Sequence, residues 1–121
     1  MTLSPEQLDQ IASTKEVLIE TRDGDQAQET IIWVVVDDGD VFIRSFRGQA
    51  GRWYRQAIAK PDVDLIVGED RYRFHASPAT DRDSVERTSA GFRLKYGKGR
   101  SVDAMVLPGV LDTTLRLIPD G

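Results

Sequence analysis

The 121-residue sequence predicts a single α+β domain, residues 1–121, built on an antiparallel β-sheet. Hydrophobic residues make up 40% of the chain and charged residues 30%, which is typical of a globular domain with one core. Short alternating or β-branched segments recur along the chain, and tight turn sequences separate them. The helical patterns between these segments are too few and too short to supply the crossovers of a parallel sheet.

The first half of the chain predicts one helix and three strands. The sequence SPEQ at residues 4–7 has the form of a capping box and predicts a helix start. Alternation predicts a strand over residues 16–22. The apolar, β-branched run TIIWVVV at residues 30–36 predicts a central strand buried on both faces. A tight turn then leads into a returning strand over residues 41–46.

The second half predicts two further helices and three further strands. A short helix over residues 52–60 has Trp53, Ala57 and Ile58 on one side and stops before Pro61. The sequence DSVE at residues 83–86 predicts the capping box of another helix, which ends at Gly97. Residues 97–108 are predicted to be irregular, and the strands are predicted over residues 63–67, 71–77 and 113–118. Six strands with two or three short helices suit a small antiparallel barrel.

Charge is distributed unevenly along the chain. The net charge is −4, yet residues 44–55 contain four arginines and no acidic residue. The remaining 12 basic and 20 acidic residues give the rest of the chain a charge of −8. A local cationic segment on an acidic protein favours a small anionic ligand over nucleic acid or an anionic membrane.

Several functional classes are disfavoured by what the chain lacks. There is no cysteine, which excludes disulfides and thiolate chemistry. His75 is the single histidine, which argues against a zinc or iron site, so no metal is expected. No apolar run approaches the roughly 20 residues of a membrane span, and the first residues lack the features of a signal peptide. We therefore expect a cytoplasmic protein.

The candidate site lies in residues 41–61, VFIRSFRGQAGRWYRQAIAKP, which are predicted to run strand, loop, helix. Arg44 and Arg47 offer forked donors that match phosphate oxygens, and Ser45 adds a hydroxyl donor. Gly48 permits close approach of the backbone to a ligand, and the helix that follows presents unpaired N–H groups. A solvated arginine surface is an equally good interpretation of the same residues. Alternation along the strand also places Ser45 and Arg47 opposite Arg44.

Residues 30–67 resemble the split-barrel proteins that bind FMN or the related deazaflavin coenzyme. That family includes pyridoxamine-phosphate-oxidase-like proteins and deazaflavin-dependent nitroreductases. The shared pattern is an apolar strand with Trp33, a tight hairpin, and a strand ending in basic and hydroxyl residues. A glycine-containing loop, Trp53-Tyr54 and a short helix ending at Lys60-Pro61 follow. The resemblance is to a small branch of this superfamily and implies a six-stranded antiparallel split β-barrel.

The resemblance also implies a cofactor site and an activity. The implied cofactor-binding residues are Arg44, Ser45, Arg47 and Gly48 at the phosphate, Trp53 and Tyr54 near the cofactor, and the strand around Trp33 beside the ring. The implied activity is hydride transfer to or from a small organic substrate, with no catalytic residue assigned. The very apolar strand at residues 30–36 adds the expectation of a homodimer.

Two other functions stay open at the level of sequence. The barrel would serve as a non-catalytic ligand-binding or dimerisation module if it keeps the fold without the cofactor. Nucleic-acid binding is a weaker option, because aromatic residues lie among the arginines but the overall charge opposes a polyanion.

Overall fold

The computed structural model describes residues 3–120 and has one antiparallel sheet with helices around it. Within these residues the strands are β1 (Val17–Asp23), β2 (Gln26–Ile32), β3 (Val35–Asp37), β4 (Asp40–Ile43), β5 (Asp62–Val67), β6 (Asp70–Pro78) and β7 (Leu115–Pro119). The helices are α1 (Pro5–Ser13), α2 (Arg52–Ala59), α3 (Arg82–Tyr96), α4 (Arg100–Met105) and α5 (Pro108–Leu111), with a short 3-10 turn at Gly48–Ala50. The α+β class and the antiparallel sheet are confirmed.

The order of the strands shows how the sheet closes. It runs β2-β1-β5-β6-β7-β4-β3, so β2 and β3 are the two opposite edges. In the chain, however, only Trp33 and Val34 separate these edges. Three residue steps of extended backbone span at most about 11 Å, so the sheet has to curl until its edges nearly meet. The result is a split barrel whose seam is the Trp33–Val34 junction.

The seam corrects two expectations about the strands. The sheet has seven strands within residues 3–120 rather than the predicted six, because residues 30–36 do not form one continuous strand. They end β2 on one edge and begin β3 on the other. They are also not buried on both faces, since the Ile31 side chain on the edge strand β2 is 64% exposed.

The helices also differ from the predicted two or three. The structure has five α-helices in the described residues, because residues 97–108, predicted to be irregular, contain α4 and begin α5. Val102 and Met105 of α4 are buried, so tertiary packing stabilises a helix too short to be stable alone. The cap of α3 is Asp81, whose side chain accepts a hydrogen bond from the backbone N–H of Ser84 at 3.0 Å, rather than the predicted box at residues 83–86.

Other local predictions are confirmed. Ser4 and Gln7 form the reciprocal capping box of α1, with hydrogen bonds of 2.8 and 3.2 Å. Trp53 and Ala57 are the buried residues of α2, whereas Ile58, predicted on the same side, is 44% exposed, so that part of the prediction is wrong. Gly97 ends α3 with a φ of +78°, a left-handed conformation that glycine adopts without strain. The main core lies inside the curled sheet and includes the fully buried residues Ile19, Ile43, Leu65, Phe74 and Leu115.

The C-terminal end of α3 holds the seam together. Val34 lies outside the strand ladders, so its backbone polar groups need other partners. Its N–H donates to the Tyr96 hydroxyl at 3.1 Å, and its carbonyl accepts from the Lys95 ammonium at 2.7 Å. The Tyr96 hydroxyl in turn donates to the Lys15 carbonyl at 2.6 Å, and its ring stacks on Trp33 with centroids 4.0 Å apart. These contacts fix the direction in which Trp33 leaves β2.

No helix in residues 3–120 combines the length and the hydropathy needed to cross a membrane.

The buried ammonium of Lys95 predicts a pH dependence of stability. Burial lowers the pKa of Lys95 from 10.5 to about 8. Below pH 8 Lys95 is protonated in both the folded and the unfolded protein. Between about pH 8 and 10 it loses its proton in the folded protein but keeps it in the unfolded one, so the free energy of unfolding rises with pH. Over this pH range the free energy of unfolding of the parent should rise by about 1 kcal/mol more than that of Lys95→Met, after allowance for the partial exposure of Lys95. Denaturant titrations at pH 7 to 10 measure the difference, and parallel curves for the two proteins would contradict it.

Candidate functional site

A cavity of about 290 Å³ opens beside the seam of the barrel. Its walls come from the end of β2, the segment that leaves β4, and the helices α2 and α4. The residues used below are Ile31, Ile32, Trp33, Arg44, Phe46 and Trp53. Ser101 and Met105 of α4 and the exposed Glu16 complete the lining. The lining therefore combines two indole rings, a phenyl ring and two isoleucines with one buried arginine, Arg44, and one exposed carboxylate, Glu16.

Arg44 is buried in the wall of this cavity, with only 1% of its surface exposed. Its Nε donates to the Thr114 hydroxyl at 2.9 Å, and its other nitrogens donate to the Ser89 hydroxyl at 2.9 Å and to two carbonyls. Those carbonyls belong to Met105, at 2.9 Å, and Val85, at 3.1 Å. All of these partners are neutral, and no carboxylate pairs with Arg44 within residues 3–120.

The electrostatic consequence is a buried positive charge without a counter-ion. Burial first, and the positive charge of Arg93 second, lower the pKa of Arg44 to about 10. The group therefore stays protonated at neutral pH. Its guanidinium carbon lies 5.5 Å from the centre of the Phe92 ring, a further favourable contact for a cation. Because a low-dielectric wall weakens screening, the cavity favours a ligand that carries negative charge.

Ser45 is also buried, but its hydroxyl lacks a partner. Its exposure is 1%, and its Oγ is the buried side-chain atom in the described chain that makes no hydrogen bond. The backbone of Gly51, the residue before α2, passes directly over it, because a Cβ added there would lie 2.3 Å from the Ser45 Oγ. A buried hydroxyl without a partner costs about 1–3 kcal/mol, and functional sites are where such costs are tolerated.

Arg47 and Gly48 follow on the surface loop. Strand β4 ends at Ile43, so the alternation expected through residue 47 does not apply. Arg47 is exposed and makes no hydrogen bond or ion pair to a side chain in the part of the chain described, so its fork is available. Gly48 has a φ of +64°, and a Cβ on it would lie 2.9 Å from the Gly109 carbonyl oxygen. Glycine is therefore required at this position by packing against α5.

The three aromatic candidates occupy different positions. Trp33 and Trp53 both line the cavity, and Trp53 is 93% buried, at 7% exposure. Tyr54 contacts the Trp53 ring edge-on, with centroids 6.3 Å apart, but does not line the cavity. Burial first, and then the charge of Asp112, raise the pKa of Tyr54. The structure therefore brings Trp33, Arg44 and Trp53 to one cavity and places Tyr54 behind it.

Ser45, Arg47 and Gly48 do not line the cavity, although they flank the lining residues Arg44 and Phe46 in the chain. Phe46 does line it and was not predicted, although an exposed aromatic before a glycine loop was a usable signal. Ser101 and Met105 come from the segment predicted to be irregular, where the sequence offers no local signal.

Metal-binding groups are not assembled in the described residues. No group of three or more acidic or histidine side chains between residues 3 and 120 is arranged to hold a metal ion. His75 lies on β6, with its Nδ1 3.3 Å from an Asp62 carboxylate oxygen, and it does not line the cavity.

Comparison with known families identifies a match along most of the chain. Residues 7–117 match the model of a family described as "Uncharacterized protein conserved in bacteria (DUF2255)". No curated protein matches the chain in sequence.

Several solved structures share the fold at low sequence identity. Conserved hypothetical protein Rv2991 from Mycobacterium tuberculosis has a TM-score of 0.77 at 17% identity, covering 100% of this chain and 82% of that one. A candidate pyridoxamine 5'-phosphate oxidase from Listeria innocua has a TM-score of 0.71 at 14% identity, covering 96% of this chain and 92% of that one. The heme storage protein HutZ from Vibrio cholerae has a TM-score of 0.72 at 20% identity, covering 100% of this chain and 92% of that one. These similarities show that the chain shares the fold of these proteins.

The unpartnered hydroxyl of Ser45 predicts an unusual response to mutation. Ser45→Ala removes a buried polar atom without a partner, so the protein without ligand should be as stable as the parent or more stable, by up to about 1–2 kcal/mol. Thermal and denaturant unfolding measure the change. The matched change Thr114→Val removes a hydroxyl that binds Arg44, and it should destabilise the protein by about 1–3 kcal/mol. A comparable loss for Ser45→Ala would show that its hydroxyl has a structural partner.

Proposed function

The chain belongs to the DUF2255 family, and we propose that it binds FMN or a deazaflavin coenzyme in the cavity beside the barrel seam. The observation that carries this proposal is the composition of the cavity. Its walls combine the Trp33 and Trp53 rings with a buried Arg44 guanidinium that pairs with no carboxylate in residues 3–120, while the Glu16 carboxylate of the lining is exposed. A planar aromatic ring system with an electron-rich, polar edge complements those walls, because the flat surfaces pack and the edge meets the cation.

The neighbouring donors suit the phosphate of such a cofactor. Arg47 is exposed without a side-chain partner among the described residues, and a guanidinium fork binds phosphate in two places at once. The Ser45 hydroxyl is a buried donor without a partner. The first backbone N–H groups of α2 follow Gly51 and add a favourable dipole for an anion. We assign Arg44 to the ring of the cofactor rather than to its phosphate, since four of its five N–H groups bind protein atoms.

The cofactor, when bound, would supply the hydride chemistry of an oxidoreductase acting on a small organic substrate. The residues of the chain would hold and orient it. The end of β2 and Trp33 would pack against one face of the cofactor ring, and Trp53 would pack against its other side. Phe46 would exclude water at the rim of the cavity. Arg44 would stabilise negative charge on the polar edge of the ring, which is the part of the chemistry that a fixed buried cation can influence.

The size and rim of the cavity support a homodimer. At about 290 Å³ the cavity lies at the lower limit of small-molecule sites, which are usually 300–1,000 Å³. Its rim also exposes apolar surface, since Ile31 is 64% and Phe46 59% exposed. We propose that a second copy of the chain covers this rim and completes the site.

Two alternatives are weaker on the same geometry. HutZ is a heme storage protein by its name, but among residues 3–120 the cavity lining here has no histidine or cysteine, and Met105 is its one sulfur donor. A non-catalytic binding module remains the second candidate, and the absence of an acid–base pair in the described lining favours it. A flavin that binds but is not reduced by any nicotinamide or small organic donor would support that candidate.

Arg47→Ala tests the phosphate assignment. Loss of a charge-assisted hydrogen bond to phosphate should weaken FMN or deazaflavin binding by about tenfold to a hundredfold, or about 1.5–3 kcal/mol. Stability without cofactor should not change, because Arg47 is exposed. Fluorescence titration and thermal melts measure both quantities, with Arg82→Ala as an exposed arginine control at the start of α3. Equal affinity of Arg47→Ala and the parent would remove Arg47 from the site, and a failure of both cofactors to bind the parent would refute the proposed function.

Phe46→Ser tests the proposed dimer. The change should shift the protein towards monomer at micromolar concentration, because it removes apolar surface from the rim that the second copy would cover. Light scattering over a range of concentrations measures the mass. Leu94→Ser is the matched control, since Leu94 is 90% exposed on α3 and should not affect assembly. A parent protein that is monomeric at every concentration would contradict the dimer.

A further inference from the structure

A second, positively charged groove lies on the outer side of α2. It has a volume of about 350 Å³ and runs between α2 and the β1–β2 hairpin. The hairpin contributes Arg22 and Asp23, and the helix side contributes Arg52, Arg55, Gln56 and Lys60. Four cationic side chains therefore face one carboxylate, on a protein whose net charge is −4.

The cations of this groove are only weakly neutralised. Arg52 lies 3.5 Å from the Asp23 carboxylate, and Arg22 lies 3.8 Å from that of Glu20. The Lys60 ammonium has one long contact, 3.4 Å to a backbone carbonyl. By contrast, Arg87 on α3 binds two carboxylates at 2.6 and 2.9 Å.

Arg55 extends this contrast between the groove and the paired arginines elsewhere. It is exposed, and it has no hydrogen bond or ion pair to a side chain in residues 3–120. The donors of the groove are therefore available to a ligand.

The floor of the groove is fixed by polar contacts. Gln56 accepts a hydrogen bond from the Thr21 hydroxyl at 2.5 Å and donates one to the Gln28 side chain at 2.8 Å. These contacts attach α2 to both strands of the hairpin. Trp53 and Ala57 pack into the core on the opposite face of the helix. The two sides of the groove are thus held at a constant separation before any ligand binds, which lowers the entropic cost of binding.

We propose that this groove binds a compact anion with two or more linked phosphate groups, such as inorganic pyrophosphate or the diphosphate of a nucleotide. The eight-residue helix Arg52–Ala59 extends about 12 Å, so the cations spaced along it offer contacts to more than one phosphate group. Guanidinium forks match phosphate oxygens in pairs. A long polyanion is disfavoured, because the net charge of the protein outside the groove repels it. The groove lies on the other side of α2 from the cofactor cavity and does not depend on the proposed function.

Calorimetric titration at constant ionic strength tests this site. The parent should bind pyrophosphate at least about tenfold more tightly than orthophosphate, because a second phosphate group engages further cations. The double variant Arg22→Gln/Arg55→Gln removes one cation from each side of the groove and should lose at least about tenfold in pyrophosphate affinity. Its melting temperature should not change, because both side chains are exposed. The control Arg93→Gln removes an exposed arginine on α3, outside the groove, and this variant should bind pyrophosphate as the parent does.

Further titrations separate the sources of the phosphate and the two sites. Equal affinity for pyrophosphate and ADP supports recognition of the diphosphate alone, and tighter ADP binding supports a nucleotide. The proposal is overturned if pyrophosphate binds no better than orthophosphate, or if the double variant and the control lose affinity equally. Displacement of pyrophosphate by FMN would also overturn it, because the groove would then be part of the cofactor site.

Discussion

The buried guanidinium of Arg44 is the interaction on which the candidate site depends. It leaves the end of β4 and joins three separate parts of the chain through four neutral partners: Val85 and Ser89 on α3, Met105 on α4, and Thr114 before β7. Burying a charge without a carboxylate is costly, and hydrogen bonds recover only part of that cost. A buried charge beside a cavity attracts anions, which an uncharged side chain making the same hydrogen bonds would not do.

The helix α3 positions both walls of that cavity. Its first turns hold Arg44 through the Val85 carbonyl and the Ser89 hydroxyl. Its last turn holds the seam through Lys95 and Tyr96, and the Tyr96 ring supports Trp33. The two edges of the sheet meet only because the chain passes from β2 to β3 through Trp33 and Val34. One helix therefore couples closure of the barrel to the geometry of the site.

Local signals in the sequence predicted much of the fold. The capping box at Ser4, the buried face of α2 and the glycine end of α3 depend on neighbouring residues, so patterns identify them. The break between β2 and β3 at Trp33 could not be predicted. An apolar run such as residues 30–36 has the same sequence pattern whether it forms one central strand or the ends of two edge strands. The burial of Arg44 was missed because arginine is almost never fully buried, and its partners lie 41 to 70 residues away. Helix α4 forms through long-range packing of Val102 and Met105.

NMR of the arginine Nε–H groups tests most directly whether Arg44 is a buried brace that attracts an anion to the cavity. The Arg44 Nε–H, bound to the Thr114 hydroxyl at 2.9 Å, should exchange with water far more slowly than that of the exposed Arg47. Its resonance should also shift when FMN is added, while that of the exposed Arg82 should not. Rapid exchange of the Arg44 Nε–H, at the rate of Arg47, with no shift on addition of FMN, would contradict the account.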